Sequence, residues 1–242
     1  QLQDLNRDYV HQSYVELRKT TNSSRNYFAM SRPSGERMYK PFVNTDEAFT
    51  LYHDNPPLDS LHVRVYQRDF PLASPPYVIE NDVAFDYTAD SVFQVALKDT
   101  FQFSDPGFYH FQFDTTSTEG FTAFCFYNDF PYVTKIEHLA PPMRYITTKK
   151  EFAALTSKKN IDAFWIKNAG TPDRAKMLIR TYYNRVEDAN SFFSSYTEGW
   201  RTDRGIVFTI FGPPNIIYKT ANSESWIYGE ENSMLSYNFN FV

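Results

Sequence analysis

The amino-acid sequence predicts a mainly β protein with an α+β part. An N-terminal antiparallel β-sandwich of the immunoglobulin-like kind comes first, and a smaller α+β domain with two or three helices and an antiparallel meander follows it. Three observations predict this class. Aromatic and β-branched residues alternate with polar ones from about residue 24 to 138, a helical period of about 3.6 residues begins near residue 140, and alternation returns after Gly199.

The chain divides into three predicted segments. Residues 1–23 form an N-terminal helix or an extended arm, because the apolar residues there have a rough helical spacing. Residues 24–139 form the β-sandwich domain, and residues 140–242 form the α+β domain. The boundary between them is placed at Pro141-Pro142, since two consecutive prolines oppose both a helix interior and a central strand.

Strands and turns alternate along the β-sandwich segment. Strands are predicted at residues 61–65, 92–97, 108–113 and 121–127. Clusters of Pro, Asn, Asp and Gly separate them, at 55–57, 74–76, 104–107 and 118–120, and such residues supply the φ angles that tight connections need. Strands at these short intervals are typical of an antiparallel sandwich.

Capping residues mark the helices of the second domain. Thr148 and Glu151 match a capping box, and Thr171 followed by Pro172 matches the start of a longer helix. Between them, a short helix that ends at Gly170 is predicted from its apolar residues, Ile161, Ala163, Phe164 and Trp165. The longer helix has one apolar face for packing, formed by Ala175, Ile179, Tyr182, Val186, Ala189 and Phe193.

A meander is predicted after Gly199. Its strands are expected at residues 206–211, 216–218, 225–228 and 235–242, with short polar or Pro-rich breaks between them. The last segment stops within an alternating pattern, so we expect the native chain to extend beyond residue 242.

The composition excludes several classes of function. The chain has 24 Lys and Arg residues against 29 Asp and Glu, a net charge of -5, so a broad electrostatic hold on nucleic acid is not expected. The single cysteine, Cys125, has no partner for an intramolecular disulfide, and its aromatic neighbours predict a buried thiol. No apolar run reaches the roughly 18 residues of a transmembrane helix, which leaves peripheral or lipid-anchored association, with any signal or anchor outside this chain.

Motifs for metal, cofactor or catalytic sites are missing from the sequence. The five histidines stand singly, without HExxH, CxxC or His-x-His spacing. Phosphate-binding glycine patterns and the GxSxG nucleophile pattern do not occur either. We therefore predict no catalytic residue, no cofactor, no cofactor-binding residue and no metal ligand, and we expect that the protein is not an enzyme.

The most distinctive motif is Gly-Trp-Arg-Thr-Asp-Arg-Gly at residues 199–205. With the apolar run after it and Gly212-Pro213-Pro214, it resembles the signature of GWxTD-domain proteins. The resemblance covers roughly residues 141–242, including residues 182–190 before the motif and 224–228 after it. It implies a bacterial cell-envelope protein, exported to the periplasm or the outer membrane, often with β-sandwich modules ahead of this domain. It implies no known reaction.

The residue types of the motif also predict a fold-defining corner or a protein-contact surface. Gly199 is expected to take a positive φ, Trp200 to bury its ring as a wedge, and Thr202 or Asp203 to cap a turn. Arg204 is expected to pair in the neighbourhood of Asp203 or with an acidic side chain such as Glu187. The candidate interface consists of the motif and the turn that is expected to end the following strand, namely Gly199, Trp200, Thr202, Asp203, Arg204, Gly205, Gly212, Pro213 and Pro214.

These observations lead to one main hypothesis of function and two alternatives. The main hypothesis is a noncatalytic envelope protein that binds a protein partner, as an accessory subunit of an outer-membrane assembly or secretion complex. The first alternative is a carbohydrate-binding β-sandwich module that stacks glycan rings on Tyr39, Tyr52, Tyr66, Tyr77 and Tyr87. The second alternative is an unrecognised hydrolase.

Overall fold

The computed structural model describes residues 2–4, 9–11, 24–40, 42–70, 72–73, 86–230 and 233–242. Near the N-terminus, β1 (Leu2–Asp4) pairs antiparallel with β2 (Tyr9–His11). These residues are extended, so the helical alternative is wrong for them, because backbone pairing between the two short strands replaces the helical hydrogen bonds. The other residues of segment 1–23 lie outside the described residues.

In the next part of the chain, the regular structure of the described residues consists of strands joined by turns and loops. A single 3₁₀ turn precedes it at Ser24–Tyr27. The strands are β3 (Phe28–Ser31), β4 (Phe42–Asn44), β5 (Phe49–His53), β6 (Ser60–Tyr66), β7 (Ser91–Ala96), β8 (Thr100–Phe101), β9 (Gly107–Gln112) and β10 (Phe121–Phe126). The four strands predicted in this segment are β6, β7, β9 and β10. The turn expected at 74–76 lies outside the described residues.

These strands form two sheets around one core. One sheet has the order β4-β10-β9-β6-β7, and the other has the order β3-β5-β8. Phe49 of the smaller sheet is completely buried and faces Phe111 of the larger one, with 6.4 Å between ring centroids. β10 runs parallel to β4, so the larger sheet is mixed and not purely antiparallel as expected. The immunoglobulin-like topology stays a prediction.

Cys125 lies in this core. It is a free cysteine and is buried, as its aromatic neighbours predicted. Burial, together with the nearby carboxylates of Asp46, Asp105 and Glu47, raises the pKa of the thiol to about 12. The group is therefore a neutral packing element at physiological pH.

The C-terminal part combines helices with a small sheet. Its elements are α1 (Ile136–Leu139), a 3₁₀ turn (Pro141–Tyr145), α2 (Lys149–Ala153), α3 (Lys158–Ala169), α4 (Pro172–Phe193), a second 3₁₀ turn (Gly199–Arg201), α5 (Asp203–Phe211), β11 (Ile216–Lys219), β12 (Glu224–Tyr228) and β13 (Tyr237–Phe241). The three strands form an antiparallel meander in the order β11-β12-β13, which confirms that part of the prediction.

The predicted helix ends are confirmed. Thr148 and Glu151 form a capping box at the start of α2, and the Thr171 side chain accepts a hydrogen bond from the backbone of Arg174 at the start of α4. Gly170 ends α3 with a φ of 81°, a value that glycine adopts without a steric cost. The apolar face of α4 packs into the core, as its spacing indicated.

The strand expected at residues 206–211 is wrong, because these residues belong to α5. A run of β-branched and aromatic residues suits a buried strand and a short buried helix equally well. Thr202 decides between them, since its hydroxyl caps the helix and Val207, Phe208 and Thr209 are all buried there. Because the helix hydrogen-bonds its own backbone, it needs no neighbouring strand.

A second hydrophobic core lies between the helices and the meander. Its most buried members are Met143, Val186, Ala189 and Trp226. Val133 also belongs to it, although this residue precedes the boundary that was placed at residue 140. The division into domains stays a prediction.

Candidate functional site

The motif at residues 199–205 forms the corner between α4 and α5. Its first three residues make a 3₁₀ turn, and Thr202 is the residue that caps α5. The Thr202 hydroxyl accepts a hydrogen bond from the backbone of Gly205 at 3.1 Å and donates one to the Gly199 carbonyl at 2.8 Å. One side chain thus joins the turn to the helix, as the cap prediction required.

The two glycines of the corner are needed for close packing. A Cβ atom at Gly199 would overlap the carbonyl oxygen of Ala189 on α4, and one at Gly205 would overlap the carbonyl oxygen of Gly199. Neither glycine has a positive φ. The expected positive φ at Gly199 is therefore wrong, because what demands glycine here is the approach of two backbones and not a left-handed turn.

Trp200 is the buried wedge that was predicted. It is 6% exposed, and its ring meets that of Tyr145 edge-on. Its backbone is held as well, because the Tyr145 hydroxyl donates to the Trp200 carbonyl at 3.2 Å and the Trp200 amide donates to Asn190 Oδ1 at 3.4 Å. Ring and backbone together fix the path of the chain through the corner.

Arg204 connects the corner to the meander. Its Nε donates to Glu224 Oε2 at 3.0 Å, and its guanidinium lies 4.9 Å from the centre of the Phe241 ring. The partner is acidic as expected, but it is Glu224 and not Glu187, which accepts a hydrogen bond from the backbone of Val133. Tertiary packing brings α5 against β12, which places Glu224 within reach.

We expect Glu224 to stabilise the fold at neutral pH and to lose this effect in acid. Burial raises its pKa, but hydrogen bonds from Trp226 and Arg204 and the charge of Lys219 outweigh burial and hold the pKa below its ordinary value. A carboxylate with a lowered pKa in the folded state stabilises the fold above the unfolded-state pKa of about 4.3, and this stabilisation disappears as the pH falls through the folded-state pKa. Glu224→Gln should lower the free energy of unfolding by about 1 to 2 kcal/mol at pH 7 and by much less in acid.

Urea denaturation at neutral pH and in acid measures this difference. The matched control is Glu230→Gln, which changes an exposed glutamate just beyond β12. It should alter stability little at either pH. An equal loss for Glu224→Gln at both pH values would show that the side chain acts by packing and not by its charge.

Gly212-Pro213-Pro214 ends a helix, which corrects the expectation that it ends a strand. Gly212 has a φ of 82° and its amide donates to the Phe208 carbonyl at the end of α5. The Tyr228 hydroxyl donates to the Gly212 carbonyl at 2.8 Å, which fastens the turn to the meander. Pro213 is exposed, as is Asp203 in the first turn of α5.

Arg201 is a residue of the corner whose contacts the sequence did not predict. Its Nη1 lies 2.7 Å from Asp69 and 3.2 Å from Glu198, and its Nη2 donates to the Phe70 carbonyl. Burial lowers the pKa of Arg201, but the two carboxylates raise it by more. The Ala73 amide also donates to the Arg201 carbonyl. Arg201 therefore ties the corner to the segment that follows β6, a link between distant residues for which the sequence carried no signal.

A cleft of about 330 Å³ opens beside Arg201. It lies between the segment after β6, the start of β9 and the segment between α4 and the corner. The Phe70 ring lines it, 5.1 Å from Phe108 and 4.8 Å from Tyr196 between centroids. We call it the aromatic cleft, and its walls include Asp69, Phe70, Phe108, Tyr196, Glu198 and Arg201.

The tyrosines proposed for glycan stacking differ in their exposure to solvent. Tyr39, Tyr52 and Tyr87 are exposed, whereas Tyr66 is buried and cannot present its face to a sugar ring. Tyr77 lies outside the described residues.

Within the described ranges, no group of three or more His, Cys, Asp or Glu side chains is arranged to hold a metal ion. None of the helices in those ranges has the length and apolar character that crossing a membrane requires.

The corner, the helices that it joins and the meander define an α+β unit whose central element is the Gly-Trp-Arg-Thr-Asp motif. A family model for the GWxTD domain matches residues 107–242, more than half of the chain. The protein belongs to the GWxTD domain family. The match begins earlier than the resemblance found in the sequence and takes in β9 and β10. Comparison with curated proteins and with solved structures found no match.

Proposed function

We propose that this protein is a noncatalytic accessory subunit that binds a protein partner in the bacterial cell envelope, as part of an outer-membrane assembly or secretion complex. The observation that carries the proposal is an exposed apolar surface where α5 turns into the meander. We call it the apolar turn surface, and it consists of Ile210, Phe211, Pro213, Ile217 and Tyr237, all of which are exposed.

The apolar turn surface has the composition of a protein interface. Residues 205–218 contain no charged side chain, whereas 22% of the whole chain is charged. Arg185 of α4 lies beside this segment and donates a hydrogen bond to the Ile210 carbonyl. Tyr237 is 62% exposed and belongs to β13, which stands at one edge of the meander. Aromatic residues are enriched at the points that contribute most to protein binding, and charged residues are depleted there.

Buried aromatic side chains hold this surface in place. The Phe211 ring lies 5.3 Å from Tyr228, 5.3 Å from Phe239 and 6.0 Å from Tyr237. Tyr228 is buried and hydrogen-bonded to the turn. A surface that is already ordered loses less conformational entropy when a partner binds.

The envelope location rests on the family. The resemblance to GWxTD-domain proteins implies that this protein is exported in a bacterium with an outer membrane. An accessory subunit of an envelope complex is a role that suits such a protein. The noncatalytic character is part of the same proposal, because the corner residues serve packing and capping contacts and the apolar turn surface suits binding more than chemistry.

Photo-crosslinking in cells tests the proposal. p-Benzoylphenylalanine replaces Tyr237 in one strain and Tyr39 in another, and the crosslinked products of the envelope fraction are identified by mass spectrometry. Tyr39 is the matched control, since it is also a tyrosine and is 91% exposed. We expect one or a few envelope proteins to crosslink at position 237 and not at position 39.

A second variant confirms the role of the surface. Phe211→Ser, combined with the crosslinker at position 237, should abolish the specific product, because Phe211 lies against Tyr237. Identical products at positions 39 and 237, or no envelope protein at position 237, would overturn the proposal.

A further inference from the structure

The aromatic cleft is a second site, separate from the apolar turn surface. It has a volume of about 330 Å³, at the lower end of the roughly 300 to 1,000 Å³ found for small-molecule sites. It lies where the β-sheet part meets the helical part, and such junctions are common places for ligand sites. What it could bind follows from its charges and its aromatic rings.

The positive charge of Arg201 is already compensated within the cleft. Its guanidinium pairs with two carboxylates, those of Asp69 and Glu198. The three groups together carry a net negative charge. Asp69 is 84% exposed at its side chain, so it can turn toward a ligand at the mouth of the cleft.

Arg68 lies in the same segment of the cleft as Asp69 and is compensated in the same way. Its Nη1 lies 2.8 Å from Asp90, its Nη2 lies 3.7 Å from Asp86, and Nη2 also donates to the Thr88 carbonyl. These three groups again carry a net negative charge. The walls of the cleft carry two arginines and two carboxylates, and Asp86 and Asp90, which lie outside the walls, pair with Arg68. The two arginines and the groups paired with them therefore sum to a net negative charge, which disfavours an anionic ligand and favours a cation.

The aromatic walls favour the same class of ligand. Tyr196 is half exposed, and its ring meets Phe70 edge-on at 4.8 Å. The faces of aromatic rings attract guanidinium and ammonium groups, and this attraction adds to that of nearby carboxylates. A flat cation can lie against such a ring while its N–H groups donate to carboxylate oxygens.

We propose that the aromatic cleft binds an organic cation, a guanidinium or primary ammonium group, between Tyr196 and the carboxylates of Asp69 and Glu198. This site goes beyond the proposed protein-binding function and shares no residue with the apolar turn surface. The cation has two sources that share this chemistry, a basic side chain of another protein or a free polyamine.

NMR titration of the full chain tests the proposal with three probes. N-acetyl-arginine amide presents the cation as a side chain, N-acetyl-citrulline amide is its neutral counterpart of nearly the same shape, and spermidine is a free polyamine. We expect the arginine compound or spermidine to shift the backbone signals of Gly107, Thr197 and Arg201, which line the cleft. The citrulline compound should bind at least tenfold more weakly, and added salt should weaken the binding of the cation.

The choice of probe identifies the source of the cation. Binding of the arginine compound alone indicates a partner's side chain, and binding of spermidine alone indicates a free polyamine. Either result supports the proposal. Equal shifts with the arginine and citrulline compounds, no shift with either cation, or shifts confined to signals away from the cleft would overturn it.

Two variants locate the site. Asp69→Asn removes a carboxylate and also frees the charge of Arg201, so cation affinity should fall roughly fivefold, the change that an exposed ion pair produces. Tyr196→Leu should weaken binding by a similar factor. The control is Asp173→Asn, because Asp173 is an almost fully exposed carboxylate on α4. Unchanged affinity in Asp69→Asn and Tyr196→Leu, with folding verified by circular dichroism, would place the cation elsewhere.

Discussion

Trp226→Ala is expected to lower the free energy of unfolding by about 4 kcal/mol, because truncating a buried tryptophan costs about 3 to 5 kcal/mol. Trp226 is 1% exposed on β12, and its ring contacts Phe193 of α4, Phe208 of α5 and Phe241 of β13. The substitution would leave a cavity at the point where both helices meet the sheet. It would also remove the hydrogen bond from Trp226 Nε1 to Glu224.

Urea denaturation of the purified chain measures the effect, and Phe192→Ala is the matched control. Phe192 touches Phe193 and Phe208 from the outside and is largely exposed. Its truncation should cost less than about 1 kcal/mol, because little apolar area is lost from the interior. A Trp226→Ala loss no larger than that of Phe192→Ala would mean that the meander does not contribute to the helical core as described.

Gly205→Ala is expected to destabilise the protein by about 2 kcal/mol or more. A methyl group there would overlap the carbonyl oxygen of Gly199. Overpacking typically costs about 1 to 3 kcal/mol and occasionally more, and the upper end applies here because the overlap is with backbone. Alanine gains about 1 kcal/mol over glycine in helix propensity, which offsets only part of this cost. The steric overlap therefore makes the net effect of Gly205→Ala destabilising.

Gly170→Ala is the control for Gly205→Ala. Gly170 has a φ of 81°, and a Cβ atom there would meet nothing within 4 Å. Its replacement tests left-handed strain alone, which costs about 1 kcal/mol. If Gly205→Ala costs no more than Gly170→Ala in the same denaturation experiment, the close approach of the two backbones is not what selects glycine in the corner.

The helices show how far local chemistry extends. Thr148, Thr171 and Gly170 were placed correctly as helix ends, because capping depends on side chains within three or four residues of one another. Capping chemistry did not predict the helix at residues 206–211, because a threonine at position 202 suits a turn before a strand as well as the start of a helix. Whether that run is helix or strand depends on its neighbours in space.

In the candidate site, most contacts could not be predicted from the sequence. The sequence identified the corner motif, its buried tryptophan and its capping threonine. It indicated an acidic partner for Arg204 without identifying Glu224, and it gave the wrong reason for Gly199. It offered no reason to examine Arg201. The Arg204 contact spans 20 residues and the contact from Arg201 to Phe70 spans 131.

Residue order alone was sufficient for the mixed β and α character, the helix caps, the buried thiol of Cys125, the family motif and the strands β6, β7 and β9 to β13. Each of these depends on periodicity or on neighbours along the chain. The tertiary structure was needed for the parallel pairing of β4 with β10, for α5, for the Arg204–Glu224 pair and for the aromatic cleft. These features arise where segments far apart in the chain pack together, and a local pattern of residues carries no information about which distant segment will lie opposite.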